Sequence, residues 1–361
     1  MAISTISATG LAGSVSQIGK NIIINGSHEV AQRSAAVTGI GAASGYTQVD
    51  MWHIIASGTA GRVTGSQVAG PLAATGHAKA VKIDVTTVDS SVASGDIMSL
   101  RTTVEAQNLQ QLQWGVATAK SVTVSFWMKS PKAGTHCVSI YQEDDGRFFI
   151  REFTIASADT YEYFAITFPG DTGGTIDTNN GAGIRIDWPL ICGSGEAGSA
   201  DAWTSGGKFA TSNQQNLLDS TDNNVELAGV QLELGTVATD FEHEPISVTL
   251  AKCQRYYQQW NITTAFGYIA TGLNAGSTST RATLPTRQTM RAAPTLSVSA
   301  VGDFQTQDAT GAADTTNVTL YSAYPEVVTI EATVATQPIS NAAMFGADNS
   351  TVRFLALSAE M

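Results

Sequence analysis

The side chains of this chain most able to do chemistry are its histidines, carboxylates and tryptophans, and their spacing decides which chemistry is open to them. His28, His53, His77, His136 and His243 lie far apart, with no His-x-His or His-Glu-x-x-His pairing. A histidine-bound metal centre is therefore not indicated. No Gly-x-Ser-x-Gly elbow is present, so a hydrolase triad has no anchor. Gly170-Asp-Thr-Gly-Gly-Thr175 lacks the Gly-Lys-Ser/Thr ending of a phosphate loop and precedes no helical pattern. Carboxylates come nearest to a catalytic arrangement, because glycoside hydrolysis needs only two at a suitable separation. Glu143, Asp144 and Asp145 are adjacent, but they fall in a hairpin turn, where acids serve turn geometry. Asp219 and Asp222-Asn-Asn224 form an oxygen-rich loop that would suit calcium or simply be solvated. The absence of EF-hand-like spacing favours solvation. With no recognisable acid pair, the chain reads as non-enzymatic.

Sugar binding asks for less. A ring stacks on the apolar face of a pyranose while amides or carboxylates take the hydroxyls. Trp203, with Asp201 and Lys208 nearby in a Gly/Ser-rich loop, is the first candidate. The competing reading for Trp203 is a loop side chain folded back onto its own domain. Trp114, beside Gln110, Gln111 and Gln113, is the second candidate. Trp52, Trp127, Trp188 and Trp260 fall in strand or helix patterns and are assigned to core or interface. Tyr268, Tyr321 and Tyr324 add aromatic surface near the C-terminus.

The elements that must position these groups are strands. Val81, Ile83 and Val85 alternate with Lys82, Asp84 and Thr86, and Val122, Val124, Phe126 and Met128 alternate with polar neighbours except at Trp127. Phe164-Phe168, Ile184-Trp188 and Val230-Leu234 keep the same period of two, which predicts an antiparallel sandwich with one packed face. Asp145-Gly146 sits between two such runs as a hairpin turn. One helix is expected over 246–260. Glu244-Pro245 opens it, Ser247 caps it, and Val248 to Trp260 contains no Gly or Pro. Its stripe of Leu250, Cys253, Tyr257 and Trp260 packs either onto its own chain or onto further copies, as an oligomer interface. Beyond it, Leu296-Ser-Val298, Val318-Thr-Leu320, Val328-Thr-Ile330 and Val352-Arg-Phe354 predict a second β unit. The fold class is thus all-β: a β-sandwich, one connecting α-helix and a second small C-terminal β-sandwich. The expected domains are an arm over 1–19, the sandwich over 20–245, the linking helix over 246–260 and the last unit over 261–361.

Charge narrows the partners. Lysine and arginine total 19 against 31 acidic residues, a net −12, with no basic run, so nucleic acid and anionic membranes are repelled. No apolar stretch approaches the roughly 18–20 residues of a membrane span. The first twenty residues carry no basic n-region, so no secretory signal peptide is expected. Cys137, Cys192 and Cys253 are odd in number and widely spaced, which implies free thiols. Charged residues make up only 14% of the chain, and a surface so rich in small neutral residues suits a long-lived assembly.

A set of short phrases carries a resemblance. Asn21-Ile-Ile-Ile-Asn-Gly26 and Gln32-Arg33 open it. Gly45-Tyr46-Thr47 and Asp50-Met51-Trp52 follow. Gly229-Val-Gln-Leu-Glu-Leu-Gly235, Asp240-Phe-Glu-His-Glu-Pro245 and Cys253-Gln-Arg-Tyr-Tyr257 close it. Over roughly residues 20–260 the chain resembles a β-sandwich module of bacteriophage tail-fibre and related virion proteins, itself similar to jelly-roll carbohydrate-binding domains. It departs from that pattern at Ser27-His28 and Met51, where the family tends to have an aromatic and a basic residue. The resemblance implies a jelly roll and a non-enzymatic tail fibre or receptor-binding adhesin on the virion. Its partners would be other phage virion proteins, further copies of itself (a homotrimer) and host cell-surface polysaccharide. A capsid decoration protein or head fibre is the alternative, and a polysaccharide depolymerase the alternative of another class. No cofactor is required, although the resemblance implies a structural calcium where first and last strands meet, with Asn25 and Glu233 as ligands.

Overall fold

Where apolar and polar residues alternate, the strands form, and the buried parity defines the core. The structure, a computed structural model, describes residues 19–33, 35–349 and 353–361. The arm expected over 1–19 lies, up to residue 18, outside the described residues. Among the described residues one sheet runs in the order β1 (Val37–Ile40), β4 (Arg62–Ala69), β5 (Lys79–Thr87), β13 (Asn224–Leu234), β7 (Val122–Lys129) and β10 (Glu162–Phe168). The facing sheet runs β12 (Thr204–Ser205), β9 (Arg147–Ile155), β8 (Gly134–Gln142), β11 (Ala182–Cys192), β6 (Ile97–Glu105), β3 (His53–Ser57) and β2 (Gly45–Tyr46). The chain passes repeatedly from one sheet to the other, and its strand ladders are antiparallel, which is the jelly-roll way of building a sandwich. A single turn of helix, α1 (Leu72–Thr75), joins β4 to β5.

Val81, Ile83, Val124, Phe126, Ile186 and Trp188 meet in one apolar core between the sheets. Trp188 lies edge-on to Phe126 at 5.6 Å and 5.6 Å from Trp52. Strand β13 changes parity on the way: Val225 and Leu227 face inward, then Val230 and Leu232 do. A β-bulge between Ala228 and Gln231 absorbs the extra residue, with Gly229 at φ 57.

The connecting helix, α2, spans Ile246–Gln254 rather than reaching residue 260. Tyr257 and Trp260 belong to β14 (Tyr257–Ile262), which pairs with β22 (Arg353–Ser358). Aromatic and β-branched residues at 256–262 fit a half-buried strand, and the distant 353–358 segment supplies the ladder. Beside β22 lies β17 (Thr295–Val298). The rest of the C-terminal unit closes into a six-stranded barrel: β15 (Tyr268–Gly276), β16 (Ser279–Pro285), β20 (Val327–Val334), β19 (Gly311–Ala323), β18 (Phe304–Asp308) and β21 (Ala342–Ala347). Its core includes the stacked rings of Phe304 and Phe345, 5.3 Å apart.

The stripe on 250–260 is spent within the chain. Cys253 is fully buried in the sandwich core, with Leu250 packed against it, while Trp260 packs on the core of the C-terminal unit. Leu250, Cys253, Tyr257 and Trp260, the residues expected either to pack within the chain or to form an oligomer interface, thus lie where two units of one chain join. Among the described residues no helix is long and apolar enough to cross a membrane.

Candidate functional site

The opening and closing phrases of the sandwich turn out to hold each other. Asn21 Oδ1 accepts the Leu232 N–H (3.0 Å), and Ile22 N–H donates to the Leu232 carbonyl (2.9 Å). Gly26 lies so close to β13 that a Cβ there would stand 1.9 Å from the Val230 carbonyl oxygen. From the other end, the Glu242 carboxylate accepts the Asn21 N–H (2.7 Å), and the Glu242 N–H donates to Gln231 Oε1 (2.8 Å). Next, Asn25 at φ 56 folds the chain back. Asn is among the few residues that tolerate this left-handed conformation. Its amide donates to the Val30 and Asp50 carbonyls (2.9 Å each), and its Oδ1 accepts the Val30 N–H (3.0 Å).

That turn delivers Gln32 and Arg33 to the junction with the C-terminal unit. Gln32 Nε2 donates both to Asp50 and to the Tyr257 carbonyl, each at 2.6 Å. Arg33 reaches Glu360 at 2.6 Å and Asp50 at 3.4 Å. Its guanidinium lies 3.9 Å from the centre of the Tyr257 ring and 5.2 Å from that of Tyr46. The Tyr46 hydroxyl donates to the main-chain oxygen of Met361 (2.6 Å), and Arg291 donates to the carbonyls of Ala359 (2.8 Å) and Glu360 (3.2 Å). The two units are therefore clasped by one cation between two buried carboxylates and two tyrosine rings. Burial pushes Glu360 up to about 7 and Asp50 up to about 6, against the opposing pull of Arg33 on both.

A cleft of about 440 Å³ opens over this clasp, lined by Arg33, Tyr46, Tyr257, Gln259, Ser297, Phe354, Ser358 and Glu360. Three aromatic rings, a guanidinium, a carboxylate, an amide and two hydroxyls converge there. This mixture has the chemistry to suit a ligand with apolar faces and many hydroxyls. Only one carboxylate, Glu360, lines the cleft, since both Asp50 oxygens are engaged by Gln32 beneath it. From Tyr46 the polar surface continues across the second sheet. The His53 ring stacks on Tyr46 at 4.5 Å, and Arg101 opposite His53 forms a two-pronged pair with Asp187 (2.9 and 3.0 Å). Burial and then the positive charge of Arg101 push His53 down to about 4, so it stays neutral.

The expected site residues lie elsewhere. Trp203 and Trp114 do meet, ring centres 5.0 Å apart, but they meet as packing. Trp114 is buried, with its indole N–H donated to the Lys120 carbonyl (2.9 Å), so it offers no ring face to a ligand. Trp203 is half-buried against Phe149 and donates to the Pro169 carbonyl (2.8 Å), while Asp201 pairs with Arg151. The residues expected to hold calcium, Asn25 and Glu233, are both engaged by hydrogen bonds within the chain. Asn25 spends its side chain on the turn just described, and Glu233 accepts from Gln231 Nε2 (2.8 Å), Thr239 N–H (2.9 Å) and the Thr239 hydroxyl (2.6 Å). Among the described residues no cluster of three or more His, Cys, Asp or Glu is placed to hold a metal. Tyr321 and Tyr324 are exposed on the barrel, Tyr321 under the Arg281 guanidinium at 3.6 Å.

Sequence reasoning missed Phe354 and Glu360, and it quoted Arg33, Tyr46 and Tyr257 without a binding role. No local signal joins residues so far apart along the chain. Trp127 was also misplaced. It breaks the alternation of β7 because it is half-exposed on the outer face of the first sheet, 5.2 Å from Tyr163. That break was the available signal.

No protein-family model matches the chain, and no curated protein sequence matches it. Solved structures show similarity to part of the chain. The enzymatically active domain of bacteriophage CBA120 tailspike protein 4 is 13% identical, with a TM-score of 0.30 over 60% of this chain and 22% of its own. The chain thus spans less than a quarter of that structure's length. A carbohydrate-binding module described as CBM4 is 12% identical, TM-score 0.31, over 59% of this chain and 99% of its own. The family 11 carbohydrate-binding module of Clostridium thermocellum, solved with a mixed-linked tetrasaccharide, is 14% identical, TM-score 0.29, over 52% and 91%.

Proposed function

We propose that this chain is a non-catalytic structural protein of a phage virion, a tail fibre or receptor-binding adhesin that takes host cell-surface polysaccharide in the cleft between its two units. The cleft carries the reading: the half-buried rings of Tyr46 and Phe354 stand among Arg33, Gln259 and Glu360, above the buried ring of Tyr257. Aromatic faces take the C–H side of a sugar ring, and planar polar groups take its hydroxyls. The module resemblance over residues 20–260 supplies the virion context. Hydrolysis would need a second carboxylate facing the same space, and Asp50 is sealed away from it.

Binding of host-surface polysaccharide to the intact protein, measured by calorimetry, tests this directly. Replacing half-buried Phe354 with alanine is expected to weaken binding about tenfold, the loss of one stacking ring. Equal affinity in the variant would remove the cleft from the proposal, and a fall in polymer viscosity on incubation would remove its non-catalytic part. The proposed trimer predicts a native mass of three times 37.7 kDa by light scattering. A monomer would leave assembly to the particle, as in a decoration protein.

A further inference from the structure

The outer face of the first sheet holds a second concavity, which shares no lining residue with the cleft. Its floor follows from the β13 bulge. Gly229 sits there at φ 57 with the His77 ring packed directly on it, since a side chain at that position would stand 2.2 Å from His77 Nε2. One wall is a pair of rings on neighbouring strands, Trp127 and Tyr163, 5.2 Å apart and inclined at 48°. On the β13 side Trp127 is paired with Ala228, too small to cover an indole. Tyr163 is 46% exposed. The other wall is His77, held edge-on by Phe241 at 4.7 Å. The enclosed space is about 370 Å³, at the small end of ligand pockets.

We infer that this pocket is a second carbohydrate site, built for one neutral pyranose residue. Two rings meeting at an angle fit the C–H face and edge of a single sugar, whereas a plain cross-strand aromatic pair needs no hollow beside it. The exposed polar residues at the rim are Asp240 and Thr239, while Ser125 and His77 are buried in its wall. His77 Nδ1 is buried without a hydrogen-bond partner among the described residues. Burial, then His243, push His77 down to about 4, so at neutral pH this wall is uncharged. At the edge of the pocket the Lys20 ammonium donates to the Thr239 hydroxyl (2.7 Å) and to the Asp240 carbonyl. With Lys20 engaged by those oxygens, the charge facing a uronate or sialate is the exposed Asp240 carboxylate, which favours neutral sugars.

The experiment titrates the intact protein with neutral hexose and N-acetylhexosamine oligosaccharides and with glucuronate- and sialate-bearing ones, read by tryptophan fluorescence and calorimetry. Neutral sugars are expected to perturb the fluorescence, with acidic sugars binding at least tenfold more weakly. Tyr163→Ala, at an exposed position, is expected to weaken neutral-sugar binding about tenfold, while Phe354→Ala leaves this component unchanged. Unchanged binding in both Tyr163→Ala and Asp240→Ala overturns the inference, as does equal affinity for acidic and neutral sugars. If Phe354→Ala abolishes all binding and Tyr163→Ala none, the pocket fails and the cleft stands. The reverse result refutes the cleft alone.

Discussion

Mild acid is expected to weaken the sandwich, and His28 is where the effect is easiest to isolate. His28 is fully buried against Trp52 (ring centres 4.6 Å), and neither ring nitrogen has a hydrogen-bond partner among the described residues. Burial, with His77 adding to it, drives its pKa from 6.5 to about 3. The folded state therefore binds fewer protons than the unfolded chain between about pH 3 and 6.5, so stability falls as the pH drops through that window. At pH 5 the unfolded histidine is protonated about 1.5 pH units below its ordinary pKa, a penalty of roughly 2 kcal/mol at ~1.36 kcal/mol per unit. His53 and His77, both pushed down to about 4, each add a similar amount, for about 6 kcal/mol in total. Glu360 and Asp50 work the other way. Their raised values mean that the folded state binds more protons than the unfolded one above about pH 4, so acid relieves them. Moving from pH 7 to pH 5 returns about 3.5 kcal/mol through those two carboxylates, which leaves a loss of about 2.5 kcal/mol from these five groups. Urea unfolding followed by tryptophan fluorescence at pH 7 and pH 5 measures the difference. His28→Phe keeps a ring against Trp52 and removes the titration, so its pH 7 to pH 5 loss should shrink by about 2 kcal/mol, whatever the variant's absolute stability. A loss identical to that of the unsubstituted protein would refute the assignment to His28.

Two further substitutions probe the architecture. Arg33→Met leaves Asp50 and Glu360, 1% and 6% exposed, without their cation, and should cost about 3–5 kcal/mol above pH 8. Near pH 5, where both carboxylates hold protons, the cost should shrink, and a pH-independent loss in urea unfolding would show that packing on Tyr257 matters more than charge. Gly26→Ala forces a methyl group against the Val230 carbonyl and parts the bond from Val230 N–H to the Gly26 carbonyl (2.8 Å). About 2–3 kcal/mol of lost stability is expected, and amide exchange at Val230 and Leu232 should speed up first.

What could be read from the sequence was whatever a single strand carries by itself. Alternation at 81–85, 122–128 and 184–188 marked strands that do pack one parity into a common core. The end of α2 was not legible, because no Gly or Pro stops it. It stops where Tyr257–Ile262 finds a ladder partner nearly a hundred residues later. The cleft was illegible for the same reason, since residues 33, 46, 257, 354 and 360 become neighbours only once both units dock. Exposed-looking composition misled in the opposite direction. A Gly/Ser-rich loop suggested a free Trp203, yet such a loop is pliant enough to lay the ring against Phe149 and Trp114. The quoted phrases teach a subtler point. Asn21, Gly26, Gln231 and Glu242 occur in separate stretches of sequence and are joined by hydrogen bonds and close approach in space. Their joint appearance thus reports how the two ends of the sandwich are fastened, and it constrains the ligand little. The side chains free to choose a ligand are the ones that fastening leaves outward, at the Tyr257 cleft and over the Gly229 bulge.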